Sequence, residues 1–216
     1  MAKKVDRNQA LAIVATLMNN VDWDQLDGDV LQTNFIADPK AAKFHATAFF
    51  KAGARMPLSD MHVATAFFDI KKFLGKSWKI DTDKRDTRSA ELMEVDFSKV
   101  DFLTCLKKGE PRITGEEKFF RLKRDEKIIR HGSTVFWGLW LDYQVKKWVS
   151  VLEHLYQDKG ITYLDFFGDI LLHSSHGTLS VLYLYRDDNG AWRWNYDWIG
   201  HNWDVNRLSV VSQQVP

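Results

Sequence analysis

The spacing of hydrophobic positions changes along this chain. From Asn8 to Val21, Leu11, Ile13, Val14, Leu17 and Met18 fall on one side of a helix, the pattern of an amphipathic element. Asp22-Trp-Asp-Gln-Leu26 can cap and open a short second helix. Asp38-Pro39 puts a capping carboxylate before a proline at the first helical position. It predicts a helix to Lys51 or Ala52, stopped by Gly53, with Ala42, Phe44, His45, Ala48 and Phe49 on its inner face. Met61 to Phe73 fits a helix, or a strand followed by a turn. Ser77–Ile80 and Ala90–Val95 read as strands, Asp81–Ser89 as a charged surface loop, and Ser98–Leu106 as mixed strand and helix. Thr114-Gly-Glu-Glu117 is a capping-box start and predicts a helix through Lys123. Phe136–His154 reads as one helix with Trp137, Trp140, Leu141 and Trp148 turned inward.

At Ile161 the period becomes two. Ile161–Phe167, Ile170–Leu172 and Leu179–Tyr185 are strand candidates, because alternation marks a half-buried strand. Asp187-Asp-Asn-Gly190 supplies a hairpin turn. The return strand, Trp192–Trp198, places Trp192, Trp194, Tyr196 and Trp198 on one face and Arg193, Asn195 and Asp197 on the other. Gly200-His-Asn forms a second turn, and Leu208–Val211 a closing strand. The predicted organisation is an N-terminal helical region over residues 1–58 and an α+β domain over 59–216, ending in a Trp-rich antiparallel hairpin.

Composition narrows the picture. The chain has 216 residues, 45% hydrophobic and 27% charged, with a net charge of +1 and one cysteine, Cys105. That is ordinary for a globular protein. A single cysteine cannot close an internal disulfide, and a cytoplasmic setting is expected. No apolar run suits a signal peptide or a membrane span. Charge is uneven: from residue 160 onward Arg186, Arg193 and Arg207 stand against Asp165, Asp169, Asp187, Asp188, Asp197 and Asp204, with no Lys and no Glu. Strands are depleted in both, which covers part of that absence.

Candidate chemistry is sparse. His173-Ser-Ser-His176 offers two imidazoles without an evident third metal ligand, and a polar hairpin tip is the preferred reading. His45 reads as a packed histidine. Asp165 and Asp169 flank Phe166-Phe167-Gly168 as glycosidase carboxylates could, but capping or turn roles suit them better. Lys71-Lys72 and Arg121-Leu-Lys-Arg124 are broken up by acidic and apolar residues, a weak nucleic-acid footprint. No phosphate loop, nucleophile elbow or zinc-hydrolase helix is present. No cofactor and no metal are expected. Residues 187–207 differ in kind: four tryptophans, Trp192, Trp194, Trp198 and Trp203, are interleaved with Asn, Asp, His, Tyr and Arg. These residue types build recognition surfaces, with large rigid contact area and adaptable hydrogen bonding.

Several segments carry a resemblance. Gly160-Ile-Thr-Tyr-Leu-Asp-Phe-Phe-Gly168, Val181-Leu-Tyr-Leu-Tyr-Arg186 and the Trp-x-Trp-x-x-x-Trp-x-x-x-x-Trp run from Trp192 resemble the variable proteins of diversity-generating retroelements. Leu92–Val100, Ile113–Lys118, Phe136–Trp140, Ser150–Glu153, Val21-Asp-Trp, Asp38-Pro-Lys and Phe49–Gly53 look like the same group, so the likeness covers most of the chain. The chain departs from that group at Leu208, where Pro is expected, at Val210, where Ala is expected, and at Ile199-Gly200, where Leu-Asp is expected.

The resemblance implies a C-type-lectin-like fold and a non-enzymatic protein binding an unknown ligand, expected to be another protein. It also implies a genetic test within the sequence. Rewriting template adenines turns asparagine codons into codons ending in a pyrimidine, which encode neither Lys, Glu, Gln, Met nor Trp. Segment 187–207 contains none of the first four. Its tryptophans would then be a fixed, buried scaffold. The ligand-contacting positions would be Arg193, Asn195, Tyr196, Asp197, His201, Asn202, Asp204, Asn206 and Arg207. Tyr196 lies on the tryptophan face by strict alternation, so it contacts a ligand only if a bulge turns it outward. Two alternatives remain beside this reading: a nucleic-acid-binding or regulatory protein using the basic front half, and a hydrolase built on Asp165, Asp169, His173 and His176.

Overall fold

The period-two stretch from Ile161 onward forms the centre of an α+β fold. The chain divides into two units, Met1–Arg55 and Met56–Pro216. The computed structural model describes residues 61–214, all in the second unit. The helices expected before Gly53, with His45, and the boundary expected near residue 58 lie outside the described residues, as does the side chain of Trp148. In chain order the elements are β1 (His62–Ala64), α1 (Ile70–Leu74), β2 (Trp78–Ile80), α2 (Thr87–Glu91), β3 (Glu94–Asp96), β4 (Asp101–Leu103), β5 (Arg112–Thr114), α3 (Gly115–Arg124) and β6 (Ile128–Arg130). Then follow α4 (Ser133–Lys146), α5 (Val151–Lys159), β7 (Tyr163–His173), β8 (Leu179–Arg186), β9 (Trp192–Trp198), β10 (Asn202–Asp204) and β11 (Leu208–Gln213).

The main sheet runs β4-β11-β7-β8-β9, with β2 also paired to β7 and β6 to β11. β11 lies parallel to β7, and β7, β8 and β9 form an antiparallel meander. β1 pairs with β3, and β5 with β10. The two strand candidates before His173 are one strand, β7, whose register shifts between Phe166 and Leu171. The expected hairpin turn forms: the Gly190 N–H donates to the Asp187 carbonyl at 2.8 Å, and Gly190 sits at a φ of +76°. Glycine reaches that left-handed region at little cost. The Asp187 carboxylate accepts the N–H groups of Asn189 and Ala191, which closes the turn.

Each sheet face has its own core. On one, Leu164, Phe166, Leu182, Leu184, Trp192 and Val210 pack with Phe136 and Leu139 of α4 and Val151, Leu152 and Leu155 of α5. On the other, Phe167, Val181 and Val211 pack with Leu122 of α3, Ile199 and Trp203. This second core is smaller and covers the sheet only in part. α3 starts where the capping box predicts: Thr114 Oγ1 accepts the Glu117 N–H at 3.2 Å. Its first turn carries Glu116 and Glu117 and its last turn Arg121, Lys123 and Arg124, the arrangement a helix dipole favours.

Several local expectations are corrected. The single helix over Phe136–His154 is two, because Lys147 adopts a φ of +52° and Ser150 Oγ caps the second through the Glu153 N–H. Leu141 is 40% exposed rather than inward, while Trp137 and Trp140 do pack against the core. The Asp81–Ser89 loop contains a 3₁₀ turn, Thr82–Lys84, and the start of α2. Asp86 there is buried: Arg88 grips its carboxylate at 2.9 and 2.8 Å, and the Arg130 N–H donates to it at 3.0 Å. Burial works against that charge, but these donors hold the Asp86 carboxyl below its ordinary range. Ala90–Val95 is the end of α2 followed by β3, and Ser98–Leu106 contributes only β4. Met61–Phe73 divides into β1 and most of α1. β11 extends to Gln213, and β10 begins within the second turn.

Candidate functional site

The tryptophan face of β9 emerges from the core along its length. Trp192 is fully buried, and its backbone N–H donates to the Tyr143 hydroxyl at 3.2 Å. Trp194 is half-buried, its ring 5.9 Å from those of Phe68 and Phe136. Tyr196 rests edge-on against Trp78 at 4.8 Å and is 38% exposed. Trp198 is 49% exposed, which corrects the expectation of four buried scaffold tryptophans. The β8–β9 ladder is unbroken from Ser180↔Trp198 to Arg186↔Trp192. No bulge therefore turns Tyr196, which stays on the tryptophan face. Tyr196 and Trp198 are exposed because the cover over this face stops short of them. Trp203 is fully buried in the second core.

The opposite face carries Arg193, Asn195 and Asp197. Their cross-strand partners are Tyr185, Tyr183 and Val181, and β7 adds Tyr163 beside Tyr185 and Asp165 beside Tyr183. The three tyrosine rings lie 5.6–6.2 Å apart and are half-buried. Arg193 is exposed and donates from Nε to Asp187 at 3.0 Å. Asn195 is exposed at the centre of the row.

The turn after β9 folds back onto this face. The Gly115 and Glu116 N–H groups donate to the carbonyls of His201 and Ile199, tying the turn to the start of α3. A Cβ at Gly115 would stand 2.5 Å from the Trp203 ring and 2.7 Å from the Ile199 carbonyl, so glycine permits this approach. Beyond Trp203, the Asp204 carboxylate accepts the Asn206 N–H at 2.9 Å.

A chain of charges joins turn to strand. Asp165 and Lys118 are completely buried, with Lys118 Nζ 3.2 Å from Asp165 Oδ2 and 2.7 Å from the Arg207 carbonyl. Asp165 Oδ1 accepts Nε and Nη2 of Arg207 at 3.0 and 2.7 Å. Arg207 Nη1 then donates to Asp197 Oδ2 at 3.2 Å, and Asp197 Oδ1 lies 2.7 Å from His201 Nδ1. The Arg207 guanidinium covers the Tyr183 and Trp203 rings at 4.5 and 4.9 Å, within cation–π range. Burial pushes the Lys118 ammonium down from its ordinary pKa. It also works against the charge of Arg207, but the Asp165 and Asp197 carboxylates outweigh it and hold the guanidinium above its ordinary value.

Asp197 thus ties β9 to the turn through His201 and Arg207, and Asn202, Asp204, Asn206 and Arg207 line one cleft with Tyr163. Arg207 is set apart from the others, since its side chain is only 14% exposed. Tyr196 belongs to the other face. Sequence reading missed Tyr163, Tyr183 and Tyr185, although the Leu-Tyr alternation of β8 signals the last two. It also missed Lys118, for which no local signal exists, because Asp165 and Arg207 are distant in sequence.

The remaining candidates have other partners. Asp169 accepts the Ser133 N–H at 2.8 Å, capping α4, and pairs with Arg85 at 3.0 Å. Asp165 serves the separate Lys118–Arg207 network. His173, the last residue of β7, and His176 in the turn after it stack face to face at 4.7 Å, with Trp78 against His173. Arg121 is held by Glu110 and Glu117. Among the described residues no group of three metal-ligating side chains forms, and no helix is long and apolar enough to cross a membrane.

Compared with protein-family models, curated proteins and solved structures, the chain matches none.

Proposed function

We propose that this chain is a non-enzymatic binding protein, built on a C-type-lectin-like arrangement, whose second sheet face and adjoining turn contact a protein ligand. The observation that carries the reading is the Asp197 bridge to Arg207 and His201. It joins β9 to the turn beside a row of half-buried tyrosines, which supports a single contact surface. A rigid, prefolded surface avoids much of the ordering cost of binding, and tyrosine beside asparagine, aspartate and histidine suits varied protein contacts. Arg193, Asn195, Asp197, His201, Asn202, Asp204 and Asn206 are its contact residues, and Trp192, Trp194 and Trp203 its frame. Trp198, exposed at the edge, is available to a ligand as well.

We further propose that the contact residues vary between copies of the gene through a diversity-generating retroelement. The test is the flanking DNA. A neighbouring reverse-transcriptase gene, and a near-identical repeat of codons 187–207 differing at adenines, are the expected findings. An intact flank with neither removes the retroelement part and leaves the binding surface to be tested by selection.

A further inference from the structure

A cleft of about 330 Å³ lies beside the turn, lined by Tyr163, Asn202, Asp204, Asn206 and Arg207. Its lining divides in two. Asn202, Asp204 and Asn206 are exposed, on a turn whose backbone is held by β10–β5 pairing and by the Arg207 N–H, which donates to the Asp204 carbonyl at 3.3 Å. Their side chains can change without disturbing a buried partner. Arg207 differs: Asp165 and Asp197 take three of its N–H groups, and Lys118 takes its carbonyl. A guanidinium has five donors, so one N–H on each terminal nitrogen is left over.

Charge limits what those donors can meet. Lys118 and Arg207 are matched against the carboxylates of Asp165 and Asp197, and Asp204 adds another at the rim. An anion entering the cleft would meet a net negative surrounding, whereas a neutral carbonyl oxygen would accept the two donors without that penalty. Every polypeptide ligand offers such an oxygen in its backbone, whatever its sequence.

We propose that this cleft is a ligand subsite with a constant floor and variable walls. Arg207 donates to a backbone carbonyl of a polypeptide ligand, Lys118 and Asp165 are its positioning residues, and residues 202, 204 and 206 select the neighbouring ligand side chain. The inference rests on the binding-surface reading and adds one position to it: Arg207 is a constant contact, whereas the resemblance places it among the varying ones.

The test uses the full chain displayed on cells. In one library codons 202, 204 and 206, and in another codon 207, run through the residues that pyrimidine-ending codons allow. Sorting on protease resistance is expected to keep most substitutions at 202, 204 and 206, and to deplete those at 207 at least tenfold. Equal persistence at 207 overturns the constant floor while leaving the surface reading intact. The first library is then selected against folded ubiquitin as the probe, and Arg207→Lys is placed in each binder. Lysine keeps the charge and loses the fork, so Kd is expected to rise at least tenfold in every clone, whatever its wall residues. Unchanged affinities overturn the proposal. A crystal structure of one clone with ubiquitin decides the same point without a variant. It is expected to place an Arg207 N–H donor within about 3.2 Å of a ubiquitin backbone carbonyl, and contact through the walls alone overturns the proposal. A selection that yields no binder overturns the surface reading and this one together.

Discussion

Asp165→Asn is the sharpest perturbation of the charge network. Asp165 is completely buried and accepts from Lys118 at 3.2 Å and from Arg207 at 3.0 and 2.7 Å. Asparagine keeps the size and one acceptor but removes the negative charge. Two cations, one fully buried and one 14% exposed, would then face a neutral amide. Removing one partner of a buried pair costs about 3–5 kcal/mol, because the remaining charge is left uncompensated. For a unit of this size 1 kcal/mol moves Tm by about 2–4 °C, so a fall of roughly 10 °C is expected. Urea unfolding followed by tryptophan fluorescence gives the free energy, and amide exchange shows where protection is lost. Residues 202–207 should lose it first, since Arg207 joins that turn to the sheet. A triple variant, Lys118→Met, Asp165→Leu and Arg207→Met, should recover much of the loss by replacing charge with apolar packing. An Asp165→Asn protein within about 1 kcal/mol of wild type would refute the view that this carboxylate holds the turn, as that is no more than a surface pair contributes.

Other outcomes follow from the same structure. Trp203→Ala, at a fully buried site, should cost about 3–5 kcal/mol, whereas Trp198→Ala, 49% exposed, should cost well under half as much by urea unfolding; equal losses would contradict the assignment of frame and edge. Gly115→Ala should destabilise by about 1–3 kcal/mol, since its Cβ would stand 2.5 Å from the Trp203 ring; an unchanged midpoint would show that the contact relaxes freely. Burial pushes the fully buried His131 from 6.5 down to about 4. The unfolded chain therefore binds the extra proton between those values, so stability is constant above about pH 6.5 and falls toward pH 4, by about 3 kcal/mol. Urea midpoints at pH 7.5, 5.5 and 4.5 should show that slope in the wild type and lose it in His131→Gln, and an equal slope in both would refute the assignment.

The meander was legible because its signals are local. The Leu-Tyr and Trp-Arg alternations of β8 and β9 fix which residues share a face, and Asp187–Gly190 fixes the turn. Alternation does not say how far along a strand its cover extends, which is why Trp198 read as buried. β5 and β10 are three residues each and gain their order from pairing with each other across the chain, so neither announces itself locally. Lys118 lies within the helix that the capping box predicts, and nothing local sets it apart from the other charged positions there. Its burial depends on Asp165 and Arg207, residues 47 and 89 positions away. The break at Lys147 was hidden for another reason: an apolar, Trp-rich run continues across it, and only the Ser150 cap marks the restart.

The central claim is that the polar residues between the tryptophans are the selective surface. Sequencing codons 187–207 from many cells carrying this gene tests it most directly. The account predicts substitutions concentrated at Arg193, Asn195, Asp197, His201, Asn202, Asp204 and Asn206, drawn from residues with pyrimidine-ending codons, while Trp192, Trp194, Trp198, Trp203 and Arg207 stay fixed. Substitutions spread evenly along the segment, or falling on the tryptophans as often as on their polar neighbours, would contradict it.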